Sequence, residues 1–118
     1  MVSTNGSKQE VFIRRLEEFA LRVLKLVRSL PKTPENKIYG NQIIKSSSST
    51  GANYVEATCA TSTNDFINDL NRSRKESKES TFWLRLIFAA NPSYQSRMGA
   101  LLQESEEICL ILCSSVKT

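Results

Sequence analysis

Few side chains in this sequence could do chemistry. Histidine is absent, which removes the commonest general base and the commonest transition-metal ligand. Serine–histidine and cysteine–histidine nucleophiles are thereby excluded, as is the Glu-x-x-His ligand pattern of di-iron helix bundles. The three cysteines, Cys59, Cys109 and Cys113, have no zinc-type spacing. Two of them stand four apart on one helix face, which suits a disulfide badly, so all three are read as reduced, half-buried small hydrophobes. Glu56, Glu76 and Glu79 fall on the central helices. Basic neighbours at helical spacing give Glu76 and Glu79 ordinary ion pairs, and Glu56 with Asn53 and Tyr54 is expected to form a polar cluster at a helix crossing or a subunit seam. With no glycine-rich phosphate loop and no metal-ligand set, the expectation is a protein without enzymatic activity, cofactor or metal.

What remains is charge. Sixteen Lys and Arg against twelve Asp and Glu in 118 residues give a net +4 and a sequence pI near 9.1. Six basic residues, Arg14, Arg15, Arg22, Lys25, Arg28 and Lys32, lie on one half of a first helix, where Glu17 and Glu18 interrupt them toward its start. Positive potential should therefore grow toward that helix's end, where it also suits the helix dipole.

The elements that must position these charges are helical throughout. Phe12, Leu16, Phe19, Val23, Val27 and Leu30 recur at spacings of three and four and predict a helix over residues 9–30, stopped by Pro31 and Pro34. Residues 1–8 read as a flexible tail and 9–118 as one domain. A second helix is expected over 36–61, with an apolar start at Ile38, Tyr39, Ile43 and Ile44 and a far half of small residues: Ser47, Thr50, Gly51, Ala57. Ser62, three before Asp65, is a helix-starting box, and a third helix follows over 63–90. Its seam, Phe66, Leu70, Ser73, Ser77, Ser80, Leu84 and Ile87, is small in the middle. Two such surfaces predict helices packed closely there, although each mid-helix serine is unfavourable by about 0.5 kcal/mol relative to alanine.

Arg74, Lys78 and Arg85 line one flank of that seam and Asp65, Asp69, Glu76 and Glu79 the other. Toward its end Phe82 and Trp83 make the helix apolar nearly all round, a segment that needs burial on more than one side. Asn91-Pro92-Ser93 then breaks the chain. A fourth helix carries Tyr94, Met98, Leu101, Ser105, Ile108 and Leu112. Short connections predict an all-α, antiparallel up-and-down four-helix bundle. No apolar run, that of residues 86–90 included, approaches the roughly 20 needed to span a bilayer. The first residues show no secretory signal, so the expected location is cytoplasmic with no membrane partner.

Gly51-Ala52-Asn53-Tyr54, Glu56-Ala57, Ala60, Ser62, Asp65-Phe66-Ile67, Leu70, Lys75-Glu76, Glu79 and Trp83-Leu84 closely resemble the signature of the four-helix bundle proteins encoded within intervening sequences of bacterial 23S ribosomal RNA genes. The resemblance runs from Phe19-Ala20-Leu21 and Leu30-Pro31 to Glu107-Ile108 and Ile111-Leu112. It departs at Ser77, where the family often has alanine. The resemblance implies a ring-like homopentamer, no established enzymatic activity, and a poorly defined role with RNA or another nucleic acid. The accessory variability determinant of diversity-generating retroelements is similar in architecture and implies a reverse transcriptase as an alternative partner. Fold similarity alone carries neither role.

Two functions follow as expectations. In the first, a basic surface formed by Arg15, Arg22, Lys25, Arg28, Arg74 and Lys78 binds RNA or DNA through phosphates, multiplied in a ring. Without aromatic residues interleaved, base-specific reading is not expected. The bland alternative is a solvated helix face. In the second, the chain is an accessory or scaffold subunit holding a protein partner such as a reverse transcriptase. For the ring, opposite charges on the two flanks of the third helix suit heterologous contacts. Phe82, Trp83, Glu76, Glu79 and Arg85 are the expected interface, with the aromatics as anchors.

Overall fold

A computed structural model describes residues 7–117. Four helices, α1 (Lys8–Ser29), α2 (Pro34–Thr58), α3 (Thr63–Ala90) and α4 (Gln95–Lys117), follow one another, with a 3-10 turn at Pro92–Tyr94 before α4. The expected tail lies outside the described residues except at its end. There Ser7 caps α1, its hydroxyl accepting from the Glu10 amide at 3.1 Å, and Lys8 is the first helical residue.

Each boundary has a local cause. Thr33 caps α2 by accepting from the Asn36 amide at 3.2 Å, and Pro34 opens that helix at a position where its missing N–H is not needed. Proline thus starts α2 two residues earlier than the expected 36. The helix also ends at Thr58, short of 61, because the Ser62 hydroxyl accepts from the Asp65 amide at 3.1 Å and begins α3 as the box predicts. Thr61 therefore belongs to a loop.

The core follows the expected seams except at Ile38 and Phe66, which are exposed near the starts of α2 and α3. Leu16, Phe19, Val23 and Leu26 of α1, Ile43 and Ala57 of α2, Leu70, Leu84 and Ile87 of α3, and Met98, Leu101, Ile108 and Leu112 of α4 are buried. The molecule measures 46 × 30 × 19 Å, its length set by α3, whose 28 residues rise about 42 Å.

α2 and α3 make the most extensive interface, and its middle is hydroxylic. The Ser46 and Ser80 hydroxyls share a hydrogen bond of 2.8 Å, and the Ser73 hydroxyl donates to the Thr50 carbonyl at 2.7 Å. Thr81 and Ser105 bridge α3 to α4 in the same way at 2.6 Å. All of these side chains are buried, so the pairing satisfies groups whose burial alone would be unfavourable. The contacts Asn36–Asn91, Ser46–Ser80 and Thr50–Ser73 climb α2 while descending α3.

Among the glycines, the close approach is not where the small-residue pattern suggests. Gly51 faces α1, and a methyl group there would stand 3.6 Å from Leu16 Cβ, an ordinary contact. At Gly40 a methyl group would meet Val27 Cγ1 at 2.6 Å, so it is this glycine that lets α1 and α2 close together.

At one end of the bundle the two loops are tied to each other. Asn36 and Asn91 exchange amide hydrogen bonds, both of 2.8 Å. Asn91 also donates to the Ile87 carbonyl at 2.8 Å, and Asn36 to the Pro31 carbonyl at 3.0 Å. Both are buried, and the reciprocal pair fixes the register of the α1–α2 connection against the α3–α4 connection.

Candidate nucleic-acid interface

That tied end is where the positive charge collects. The helix halves that meet there, residues 22–41 and 82–101, carry Arg22, Lys25, Arg28, Lys32, Lys37, Arg85 and Arg97 against a single acid, Glu35. The rest of the described chain holds more acids than bases. The net charge read from composition is thus a property of one pole of the molecule.

Within this pole, α1 and α4 leave an open cleft of about 370 Å3 lined by Arg22, Lys25, Leu26, Ser29, Arg97 and Leu101. It exists because these two helices, although neighbours, make far less contact with each other than α2 makes with α3. Leu26 and Leu101 are buried and form its floor, whereas Arg22, Lys25 and Arg97 are exposed around it. The 3-10 turn closes one end. There the Tyr94 hydroxyl donates to the Ser29 carbonyl at 3.0 Å, and the Arg97 guanidinium carbon lies over the Tyr94 ring, 4.8 Å from its centroid.

Beyond the other end, Arg15 ties α1 to α4. Its Nε donates to Glu104 Oε2 and its Nη2 to Glu104 Oε1, both at 2.7 Å, and Nη2 also reaches Glu107 Oε1 at 3.0 Å. A two-pronged guanidinium–carboxylate pair is the strongest form of such contact. The hydrogen bonds to Glu104 lead in raising the Arg15 pKa above its ordinary value. The same contact leads in holding the Glu104 carboxyl below its usual range against the opposing effect of burial, and Arg22 adds to this. Arg15, expected as a phosphate ligand, is a strut between α1 and α4.

The remaining basic candidates divide. Arg22 and Lys25 share the cleft. Arg28 is exposed on α1, turned by helical spacing about 60° from Lys25. Arg74 and Lys78 lie elsewhere: Arg74 donates to Asn71 at 3.4 Å, and Lys78, like Ser77, stands near Cys109. The six residues do not form one surface. Arg97, absent from the expected set, completes the cleft, and the isolated position of this arginine on a mostly apolar and acidic α4 gave no signal. The Arg97–Tyr94 contact at least falls at a helical spacing of three.

The expected oligomer-interface residues are also placed. Phe82 is 55% exposed. Trp83 is half-buried on its own chain, edge-on to Phe82 at 5.1 Å and tilted over Tyr39 at 6.1 Å, so it has more intramolecular cover than its sequence context suggested. Its buried Nε1 has no hydrogen-bond partner. Arg85 pairs with Glu106 of α4 at 2.9 Å, so this residue is engaged within the chain. Burial, with help from the neighbouring Glu79, pushes the Glu76 carboxyl above its usual range, and Lys45 opposes them; Glu79 is exposed.

The cluster of Asn53, Tyr54 and Glu56 does not form. Asn53 donates to the Ser49 carbonyl at 2.9 Å, Tyr54 packs edge-on against Phe12 at 4.9 Å, and Glu56 is exposed. A helix turns residues one and two apart to different sides, and that separates Tyr54 from both Asn53 and Glu56. Cys59 is exposed, unlike the expected half-buried thiol, while Cys109 and Cys113 are half-buried; all three are free. Burial, then the adjacent Cys113, raises the Cys109 pKa, away from a reactive thiolate. Among the described residues no group of three or more Cys, Asp or Glu could hold a metal ion, and no helix is long and apolar enough to cross a membrane.

Residues 8–114 match the family described as 23S rRNA-intervening sequence protein. Among solved structures, the chain is similar to a protein of unknown function from the S23 ribosomal protein family of Bacteroides thetaiotaomicron. The two share 35% identity and a TM-score of 0.81, over 95% of this chain and 100% of that one. No curated protein matches the chain.

Proposed function

The chain belongs to the 23S rRNA-intervening sequence protein family, and from that premise we propose that it is a non-enzymatic, cytoplasmic protein that binds nucleic acid by its phosphates at the basic pole. The observation that carries this reading is the cleft in which Arg22, Lys25 and Arg97 converge from two helices. Cations gathered in a concave surface concentrate potential and release counterions when phosphates enter. Arg28 extends the same pole. Lys32 does so with its ammonium held near the Arg28 carbonyl at 3.4 Å.

In this reading the bundle is up-and-down and antiparallel, supported by the reversed order of contacts between α2 and α3. Copies assemble as a ring, with five as the number the family resemblance implies, which would set several basic poles side by side. Exposed Phe82 supports an apolar contact between copies, as does a groove of about 640 Å3 between α1 and α2 bordered by Leu21 and Val55, both exposed. An accessory role toward a reverse transcriptase or another protein partner is the competing reading, and the same apolar surfaces favour it.

Binding of labelled RNA across a salt series tests the proposal. Affinity should fall steeply with salt, and the combined change Arg22→Glu, Lys25→Glu and Arg97→Glu should weaken it more than tenfold, whereas Arg74→Glu with Lys78→Glu should do much less. No binding at low salt, or a triple variant that binds like the parent, overturns it. Light scattering on the same sample reads the subunit number, and a monomer would remove the ring.

A further inference from the structure

Phosphate binding needs only cations, yet one of the cleft's cations, Arg97, lies on an aromatic ring beside it. Tyr94 is fixed from both ends, by the 3-10 turn that carries it and by its hydroxyl bond to the Ser29 carbonyl at 3.0 Å. The Arg97 guanidinium lies over its ring at 4.8 Å and lines the cleft. A guanidinium laid on a fixed ring loses much of its freedom before any ligand arrives, so less is lost on binding. Such a planar cation is itself a surface on which an unpaired nucleobase stacks. Arg22 and Lys25 border the same cleft and meet the flanking phosphates. Its volume of about 370 Å3 lies at the small end of ligand pockets. A duplex offers its phosphates to such a site but keeps its bases paired inside.

We propose that the cleft selects single-stranded nucleic acid over duplex by stacking one unpaired base on Arg97, with Tyr94 as the support beneath it. This rests on the nucleic-acid reading above and sharpens its substrate class. In this arrangement Arg97 contacts ligand, and Tyr94 is a positioning residue that acts through it.

The test is fluorescence anisotropy with a short labelled purine-rich RNA strand, alone and annealed to its complement, at one salt concentration. The parent protein should bind the single strand about tenfold more tightly, the order of effect that one stacked base supplies. Arg97→Lys keeps the charge and loses the plane. It should lower single-strand affinity far more than duplex affinity and so abolish that preference. Tyr94→Leu should do the same to a smaller degree, and Tyr94→Phe, which keeps the ring, should retain most of the preference. Circular dichroism on each variant reads whether the bundle is intact. Equal affinity for the two forms, or an Arg97→Lys variant that still prefers the single strand, overturns the stacking inference while phosphate binding stands. Absence of binding to either form overturns both.

Discussion

The α2–α3 and α1–α4 interfaces solve the same packing problem with opposite materials. Between α2 and α3 the facing side chains are short. Ser46 meets Ser80, Ser73 meets the Thr50 carbonyl, and the two helices lie in extensive contact. Between α1 and α4 the bridging side chains are long. Arg15 reaches Glu104 and Glu107, Tyr94 reaches Ser29, and a cleft stays open between the two attachments. Small residues exclude water and tie stability to shape, so that interface tolerates little change. Long charged ones hold two helices at a distance and leave room for a ligand. One side of the bundle is therefore built for rigidity and the other for access.

The largest effect should come from overfilling the tight interface. Ser80→Leu inserts a branched side chain where Ser46 now sits at hydrogen-bond distance and deprives that buried hydroxyl of its partner. A loss of about 3 kcal/mol is expected, read by urea unfolding. A loss below about 1 kcal/mol would mean that α2 and α3 have room to separate, and the contrast would fail.

Two glycines sharpen the same point at α1–α2. Gly40→Ala drives a methyl group against Val27 and should destabilise by about 2 kcal/mol. Gly51→Ala, about three turns farther along α2 and meeting only an ordinary contact at Leu16, should stabilise by about 0.5–1 kcal/mol through helix propensity alone. Thermal unfolding of the two variants beside the parent reads opposite signs; equal signs would show that propensity or packing dominates at both.

The smallest effect belongs to the open side. Arg15→Met removes a bridge that is about one-third exposed at the arginine, and about 0.5–1 kcal/mol is the scale for such pairs. The sign with pH follows from Glu104, whose folded carboxyl is held below its usual range. Its stabilisation is fully present above the unfolded carboxylate value and is lost as pH falls through the folded one. Parent and variant should therefore differ at neutral pH and converge in acid. A difference that persists at the lowest pH at which both remain folded would assign the effect to packing of the arginine stem.

How much of this was legible varied with distance along the chain. The start of α3 at Thr63 was readable because Ser62 stands three before Asp65 and its hydroxyl caps the Asp65 amide. Buried Ser73, Ser77 and Ser80 were readable because they share one face of one helix. Arg15 as a phosphate ligand was not a reading that could be corrected from sequence, since Glu104 and Glu107 lie on a helix three elements away. Arg97 shows the same limit in reverse. Nothing near it on α4 marks it, and only the pairing of α1 with α4 sets it beside Arg22 and Lys25.

Four helices, the cap of α3, the apolar seams and an excess of positive charge follow from local residues, because helical periodicity and capping are set by neighbours within a few positions. The gathering of charge at one pole, the close approach at Gly40 rather than Gly51, and the parting of α1 and α4 around a cleft come from how the helices pack. Those outcomes depend on the register in which distant helices meet, which the Asn36–Asn91 pair and the hydroxyl bridges fix through contacts that no local pattern encodes.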